Sequence, residues 1–291
     1  MEHSGLQRWT VGDIRITAVS EEQTDHIPPQ FFFPEATANE VARHPWLVPD
    51  HADEQGNIGL HVQAFVVEVA GRTILVDPCV GDGRVRNMAF WSEQQWGFLD
   101  RFEAAGFDTD AVELVLHTHL HADHVGWDTR PDGDGWRPTF ERARYLYTAG
   151  ELDAVKNGAY GEPGVWTDSV GPVFEAGLGD VVDDDADLGN GLRLEATRGH
   201  TLGHVSLCVE SQGETAMISG DWLHHPVQLA VPTWAEIGDE DVELARETRA
   251  RLLAHLADTG ALLIGTHFPL PSAGHVVPDG DAYRYVPVAA G

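Results

Sequence analysis

Four side chains able to ligate a metal stand within six residues: His119, His121, Asp123 and His124, in the run Leu116-His-Thr-His-Leu-His-Ala-Asp-His-Val-Gly126. Three imidazoles and one carboxylate make the donor set that a borderline divalent ion such as zinc prefers. A lone histidine is usually a surface or satisfied core residue. Four ligating groups this close together, directly after the apolar stretch Val112-Glu-Leu-Val-Leu116, are poorly explained by solvation. His119 and His121 can converge on one ion, and Asp123 with His124 can turn toward a second. His117, two positions earlier, reads as a buried or outer imidazole instead of a ligand.

The elements that must hold these residues can be read around them. Val112–Leu116 is short and rich in valine and leucine, as strands buried in a layered α/β sheet are. The ligand run is therefore expected on the loop beyond a strand end, where a rigid scaffold fixes accessible side chains. More donors follow downstream: His200 in Thr197-Arg-Gly-His-Thr-Leu-Gly-His204, Asp221 in Ile218-Ser-Gly-Asp221, and His267 in Leu263-Ile-Gly-Thr-His267. Each follows an apolar run or a glycine turn, so each is again expected at a strand end.

Along the rest of the chain, 9–19 reads as a hairpin around Gly12-Asp13, and 61–69 with 72–77 as a second one around Gly71. Ser92 with Gln95 predicts a capped helix ending at Gly106, and Thr148 with Glu151 predicts another. Residues 241–257 place Val242, Ala245, Leu252, Leu253 and Leu256 on one helical face, closed by Gly260. Ala261–Gly265 is then a buried strand that delivers His267. Asp183–Asp187 reads as a solvated loop, since Leu188 stands where a calcium loop needs its glycine, and 128–136 as a surface hairpin. One strand runs into Asp77 in the first half and another into Asp221 in the second, which suits an internally duplicated αβ/βα sandwich.

With these motifs in order over residues 61–267, the chain resembles the metallo-β-lactamase superfamily. The resemblance implies an α/β four-layer αβ/βα sandwich. It implies His119, His121 and His200 around a first ion, and Asp123, His124 and His267 around a second, with Asp221 bridging. It also implies that His204 supports without ligating, and that Asp77 orients the ligand loop by hydrogen bonds, as outer groups do at metal sites. Arg198 stands where proline is common in the family.

Bulk properties narrow the function. At 291 residues the expectation is a single domain, 1–291, whose first 60 or so residues form an N-terminal extension. A net charge of -29 with only 18 scattered basic residues gives no basic stripe for a phosphate backbone, so a nucleic-acid substrate is not expected. No segment reaches the roughly 18 apolar residues of a membrane helix, and the start Met-Glu-His-Ser-Gly-Leu-Gln-Arg-Trp9 has no secretory core. A cytoplasmic protein with free, structural Cys79 and Cys208 is expected, and a homodimer is left open.

The chemistry implied is hydrolysis by a binuclear centre, with two zinc ions, or manganese, cobalt or iron, about 3.5–4 Å apart activating a bridging water. Asp221 would hold the pair, and Asp123 would orient the hydroxide or carry a proton to the leaving group. The intact third histidine of the run and Asp221 depart from the β-lactamases with a cysteine ligand. His121 stands where the flavodiiron branch has glutamate. Residues 268–291 alone follow His267, without the basic extension of glyoxalase II-like thioesterases. What remains is similar to N-acyl homoserine lactonases and methyl parathion hydrolase-like enzymes, the latter through Ser219-Gly-Asp-Trp-Leu-His-His-Pro-Val-Gln228 and Gly265-Thr-His-Phe-Pro269. The expected substrate is a small lactone or other carboxylic ester. The alternatives are a phosphotriester, or a mononuclear iron dioxygenase of the persulfide-oxidising kind. His224, His225 and Phe268 are expected beside the substrate. Phe31, Phe32 and Phe33, on a proline-stiffened segment, are expected as an apolar wall or as core cover.

Overall fold

The computed structural model describes residues 6–162 and 164–291. The first five residues, which belong to the leader and extension readings, lie outside this range. By internal contacts the chain forms two compact units, 6–22 with 62–186 and 23–61 with 187–291.

The first unit is built on a seven-stranded sheet of order β1-β2-β3-β4-β5-β8-β9. Its strands are β1 (Leu6–Val11), β2 (Ile14–Ile27), β3 (Ile58–Val69), β4 (Arg72–Val76), β5 (Val112–Leu116), β8 (Arg144–Thr148) and β9 (Gly179–Val182); β6 (Thr129–Asp132) and β7 (Gly135–Pro138) form a separate hairpin. The hairpins around Gly12 and Gly71 form as the sequence predicts. β5 pairs in parallel with both β4 and β8. Strands in parallel sheets are covered on both faces, which explains the nearly unbroken apolar run of β5. Around these strands pack Phe98 and Phe102 of the helix Phe98–Ala104, together with Trp127, Phe140, Tyr145 and Tyr147.

One helix start and one cap differ from expectation. The helix after Ser92 begins only at Phe98, because the Asp82 carboxylate takes the Trp96 N–H (2.6 Å) and the Gly97 N–H from outside the segment. Ser92 Oγ instead accepts from the Arg86 N–H. The helix Ala149–Lys156 starts at Thr148, whose side chain makes no cap bond, and Glu151 turns toward the ligand loop.

The second unit carries the sheet β10 (Asp187–Gly189), β11 (Leu192–Ala196), β12 (Val205–Ser211), β13 (Glu214–Ile218), β14 (Leu262–Ile264), β15 (Ala273–Asp279) and β16 (Ala282–Pro287), paired in that order. β13 and β14 are parallel, so the link between them must cross over, and the helix Val242–Thr259 makes that crossing. Asp241 caps it by accepting the Leu244 N–H (3.0 Å), and Gly260 closes it in a left-handed turn (φ 69°). Ala245, Leu252, Leu253 and Leu256 are buried as the periodicity predicts, and so is Arg249. Its guanidinium donates to the carbonyls of Trp222, Pro232 and Trp234, which compensates a cation in the core. Gly199 allows the turn before His200 to lie on this helix: a Cβ there would sit 2.3 Å from the Ala245 nitrogen. Among the described residues no helix is long and apolar enough to cross a membrane.

Candidate metal centre

In the first unit, the sheet edge at Leu116 is tied to β4 by the Asp77 N–H donating to the Leu116 carbonyl (3.0 Å). The chain then turns through His117–Gly126. Asp77 Oδ1 accepts the Thr118 N–H (2.8 Å) and Oδ2 accepts the Thr118 hydroxyl (2.7 Å). Since that hydroxyl gives its one proton to Asp77, the contact of Thr118 Oγ1 with His119 Nδ1 (3.1 Å) must be donated by the imidazole. Nδ1 of His119 then carries the proton and Nε2 keeps a lone pair for an ion. His124 Nδ1 lies 3.1 Å from Asp77 Oδ2, and His124 Nε2 lies 3.7 Å from Asp123 Oδ2. The His119 ring stands 4.6 Å from His121 and 4.0 Å from His124, centroid to centroid. Asp77 adopts the left-handed backbone (φ 50°), as does Cys79 (φ 49°). Strain of this kind in non-glycine residues persists where surrounding bonds over-determine it.

Two carboxylates with no role at the site expected from the sequence hold this loop and its neighbour. Glu151, buried, accepts the Leu120 N–H (2.9 Å) and the Tyr160 hydroxyl (2.6 Å), while the Tyr160 ring meets His121 edge-on at 4.8 Å. Glu21 accepts N–H bonds from Val80 (2.7 Å), Gly81 (3.1 Å) and Trp127 Nε1 (2.6 Å). Burial outweighs those donors and holds its carboxyl up at about 7. The Gly126 and Trp127 N–H groups donate to the carbonyls of Cys79 and Pro78, and Gly126 has no room for a Cβ, which would fall 1.8 Å from the Val80 oxygen. His117 is not a ligand here. Its nitrogens are spent on Asp128 Oδ1 (2.7 Å) and the Leu146 carbonyl (3.0 Å), and its ring stacks on Tyr147. Asp128 is buried with it, while the hairpin that follows is exposed.

In the second unit, His200, His224 and His267 point Nε2 at one oxygen, Asp221 Oδ2, at 3.6, 3.1 and 3.2 Å. His267 Nδ1 donates to the His61 carbonyl (2.9 Å), and His200 Nδ1 faces Asp239 Oδ1 (3.1 Å). Both rings are thereby held through Nδ1 with Nε2 turned toward the carboxylate. Burial, with His224 nearby, holds His200 down at about 4. His224 is the reverse: burial alone would lower it, but Asp221 and Glu236 outweigh that and raise it to about 9. His204 accepts the Asp221 N–H at Nε2 (2.8 Å) and contacts Thr197 Oγ1 through Nδ1 (2.8 Å), so it orients the Asp221 backbone and has no nitrogen left to ligate.

Glu236 and Asp239 complete the surroundings of His200, and sequence reasoning missed both. Glu236 Oε2 lies 3.7 Å from His200 Nδ1 and 4.0 Å from His224 Nε2, and burial raises its carboxyl to about 7. Asp239 accepts the Glu236 N–H (3.0 Å) and faces Arg249 at 3.6 Å.

The remaining expected residues fall in different places. His225 is buried, with Nε2 on the His51 carbonyl (2.8 Å) and Nδ1 accepting the Val227 N–H (3.0 Å); burial holds it down at about 3. Phe268 packs edge-on to Tyr285, and Phe33 stacks near Trp234, both without exposed surface. Phe32 is 7% exposed, whereas Phe31 is 46% exposed. Cys79 and Cys208 are free and buried, and burial raises both thiols, Cys208 to about 12.

A hydrolase fold with buried His/Asp clusters, in which His119, His200 and His267 are positioned through Nδ1, suits divalent metal. The chain belongs to the metallo-beta-lactamase superfamily, whose family model matches residues 57–267. No curated protein matches it. Among solved structures it is similar to the hydrolase AbOPH of the beta-lactamase superfamily (23% identity, TM-score 0.83, all of both chains covered). It is also similar to AidC, a dizinc quorum-quenching lactonase (20% identity, TM-score 0.80, 99% of this chain and 98% of that one). A third likeness is to a probable metal-dependent hydrolase from Staphylococcus aureus (17% identity, TM-score 0.78, 96% and 99%). These likenesses establish the metallo-β-lactamase fold.

Proposed function

We propose that this protein is a binuclear metal-dependent hydrolase acting on a lactone or other small carboxylic ester. The observation that carries the reading is the convergence of His200, His224 and His267 Nε2 on Asp221 Oδ2, with His200 and His267 each held through Nδ1. Imidazole nitrogens gathered on one buried carboxylate oxygen form the donor set that a divalent ion takes. The prepared tautomer of His119 supports the same reading in the first unit. In the proposed centre His119, His121 and His200 hold one ion, Asp123, His124 and His267 hold the other, and Asp221 serves both. Two divalent ions, zinc in the first instance, would supply a hydroxide at neutral pH and a Lewis acid toward the substrate carbonyl.

The residues themselves have distinct tasks. The Asp221 backbone is fixed by its N–H bond to His204. Asp123 offers an oxygen beside His124 that can orient a nucleophilic water or receive its proton. The exposed ring of Phe31, with Phe32 packed edge-on against it at 4.9 Å, offers apolar surface for an acyl chain or aryl group. A net charge of -29 favours neutral small molecules over polyanions. The likeness to a lactonase supports lactones first. The test is a hydrolysis panel of acyl homoserine lactones, aryl esters and phosphotriesters on zinc-loaded protein. Lactone or ester turnover that a chelator abolishes is expected; turnover of phosphotriesters alone would overturn the substrate class.

A further inference from the structure

His224 lies outside the ligand positions that the family motifs occupy, yet it holds the same relation to Asp221 as the ligands do. We propose that His224 is a direct metal ligand through Nε2, giving this chain one more histidine at the ion that His200 and Asp221 would hold. The inference rests on the metal-dependent reading above.

The geometry points to coordination. In a tetrahedral site with bonds of about 2.1 Å, ligand atoms stand roughly 3.4 Å apart. His224 Nε2 and His267 Nε2 lie 3.1 and 3.2 Å from Asp221 Oδ2, and His200 Nε2 lies at 3.6 Å. For an ion shared by His200, His224 and Asp221, the 3.6 and 3.1 Å distances bracket the edge of such a tetrahedron. His200, Asp221 and His224 each offer a ligand atom within 4.8 Å of the others, and all three are buried. The rings are arranged around the carboxylate: His224 lies parallel to His267 (5.6 Å, 6°) and tilted to His200 (4.8 Å, 61°).

How His224 is held separates it from a supporting histidine. His204 and His225 have both nitrogens bonded to protein groups. His224 Nδ1 is buried with no hydrogen-bond partner, so the ring is held at Nε2 alone. Its backbone is fixed separately, by its N–H donating to Gln228 Oε1 (2.8 Å). In the metal-free arrangement an Nε2–H donates to Asp221. With a cation in place that proton is displaced, and Nε2 joins His200 and Asp221 as a donor.

The competing role is a hydrogen bond from His224 to Asp221 or to substrate, with Nε2 still protonated. Zinc-loaded, 15N-histidine-labelled full-length protein distinguishes the two by long-range 1H–15N correlation, with His224 assigned through its backbone. The expected result is a His224 Nε2 without an attached proton and with the proton on Nδ1. His224→Gln, measured by zinc competition with a chromophoric chelator, is expected to weaken one of the ions by more than the roughly 100-fold that losing an outer partner can cost. A protonated His224 Nε2 in the loaded protein, or a smaller loss in the variant, overturns the inference while leaving the hydrolase reading intact. A wild-type protein that takes up no zinc overturns both.

Discussion

Asp77→Asn replaces one oxygen with an amide nitrogen, and Asn tolerates the left-handed backbone at this position, so backbone strain is not the variable. In the wild type both Asp77 oxygens accept from Thr118, at 2.8 and 2.7 Å, and Oδ2 also faces His124 Nδ1 at 3.1 Å. The Asn amide can accept on one side only. If its nitrogen faces the Thr118 N–H, a buried donor loses its acceptor, which costs about 1–3 kcal/mol. If its nitrogen faces the hydroxyl, Thr118 must turn and donate to His119 Nδ1, which moves the imidazole proton onto Nε2, the wrong nitrogen for a ligand. Either arrangement is expected to lower stability by about 1–3 kcal/mol in urea unfolding of the chelator-treated protein. Zinc affinity is expected to fall about 10- to 100-fold, the usual range for an outer-shell partner, or about 1.4–2.7 kcal/mol. Thr118→Val should reproduce part of the affinity loss, and the double variant should lose less than the sum of the two. Asp77→Asn protein with zinc affinity within threefold of wild type would refute the tautomer argument.

Glu21 gives a pH-dependent expectation. Its folded pKa of about 7 exceeds the ordinary 4.5, so the folded state binds more protons between these values and stability falls as pH rises through that window, by about 3 kcal/mol at most. Urea midpoints from pH 4.5 to 7.5 should therefore decline for wild type relative to Glu21→Gln, and parallel curves would remove the effect. Phe33→Ala should cost about 3–5 kcal/mol in the same unfolding assay, as for a fully buried ring. Phe31→Ala should instead leave stability near wild type and raise KM for long-chain or aryl esters several-fold more than for small ones. An equal effect on all esters would assign Phe31 to the core cover.

The strands and the ligand loops were legible because both are local. Val112–Leu116 reads as a buried strand from its own residues, and the donors that follow it need only its end to be exposed. Strand ends likewise carry Asp77, Asp221 and His267, and the long helix is legible from its period and its caps. What escaped depends on partners far along the chain. Glu236, Asp239 and Glu21 are single carboxylates with no flanking pattern, Glu151 reads only as half of a capping box, and each meets its partners at the site only through tertiary packing. Ser92 and Gln95 have the right spacing for a capping box, but Asp82 takes the N–H groups first. His224 was legible as lying beside the centre, while its approach to Asp221 Oδ2 was not.

The central claim is that one carboxylate serves two ions. Metal analysis of zinc-loaded, gel-filtered protein, alongside lactone or ester turnover on the same sample, tests it most directly. About two ions per chain are expected in the wild type, with occupancy and turnover falling together in Asp221→Ala. Full turnover in Asp221→Ala, or wild-type turnover undiminished after a chelator has stripped the protein of metal, would contradict it.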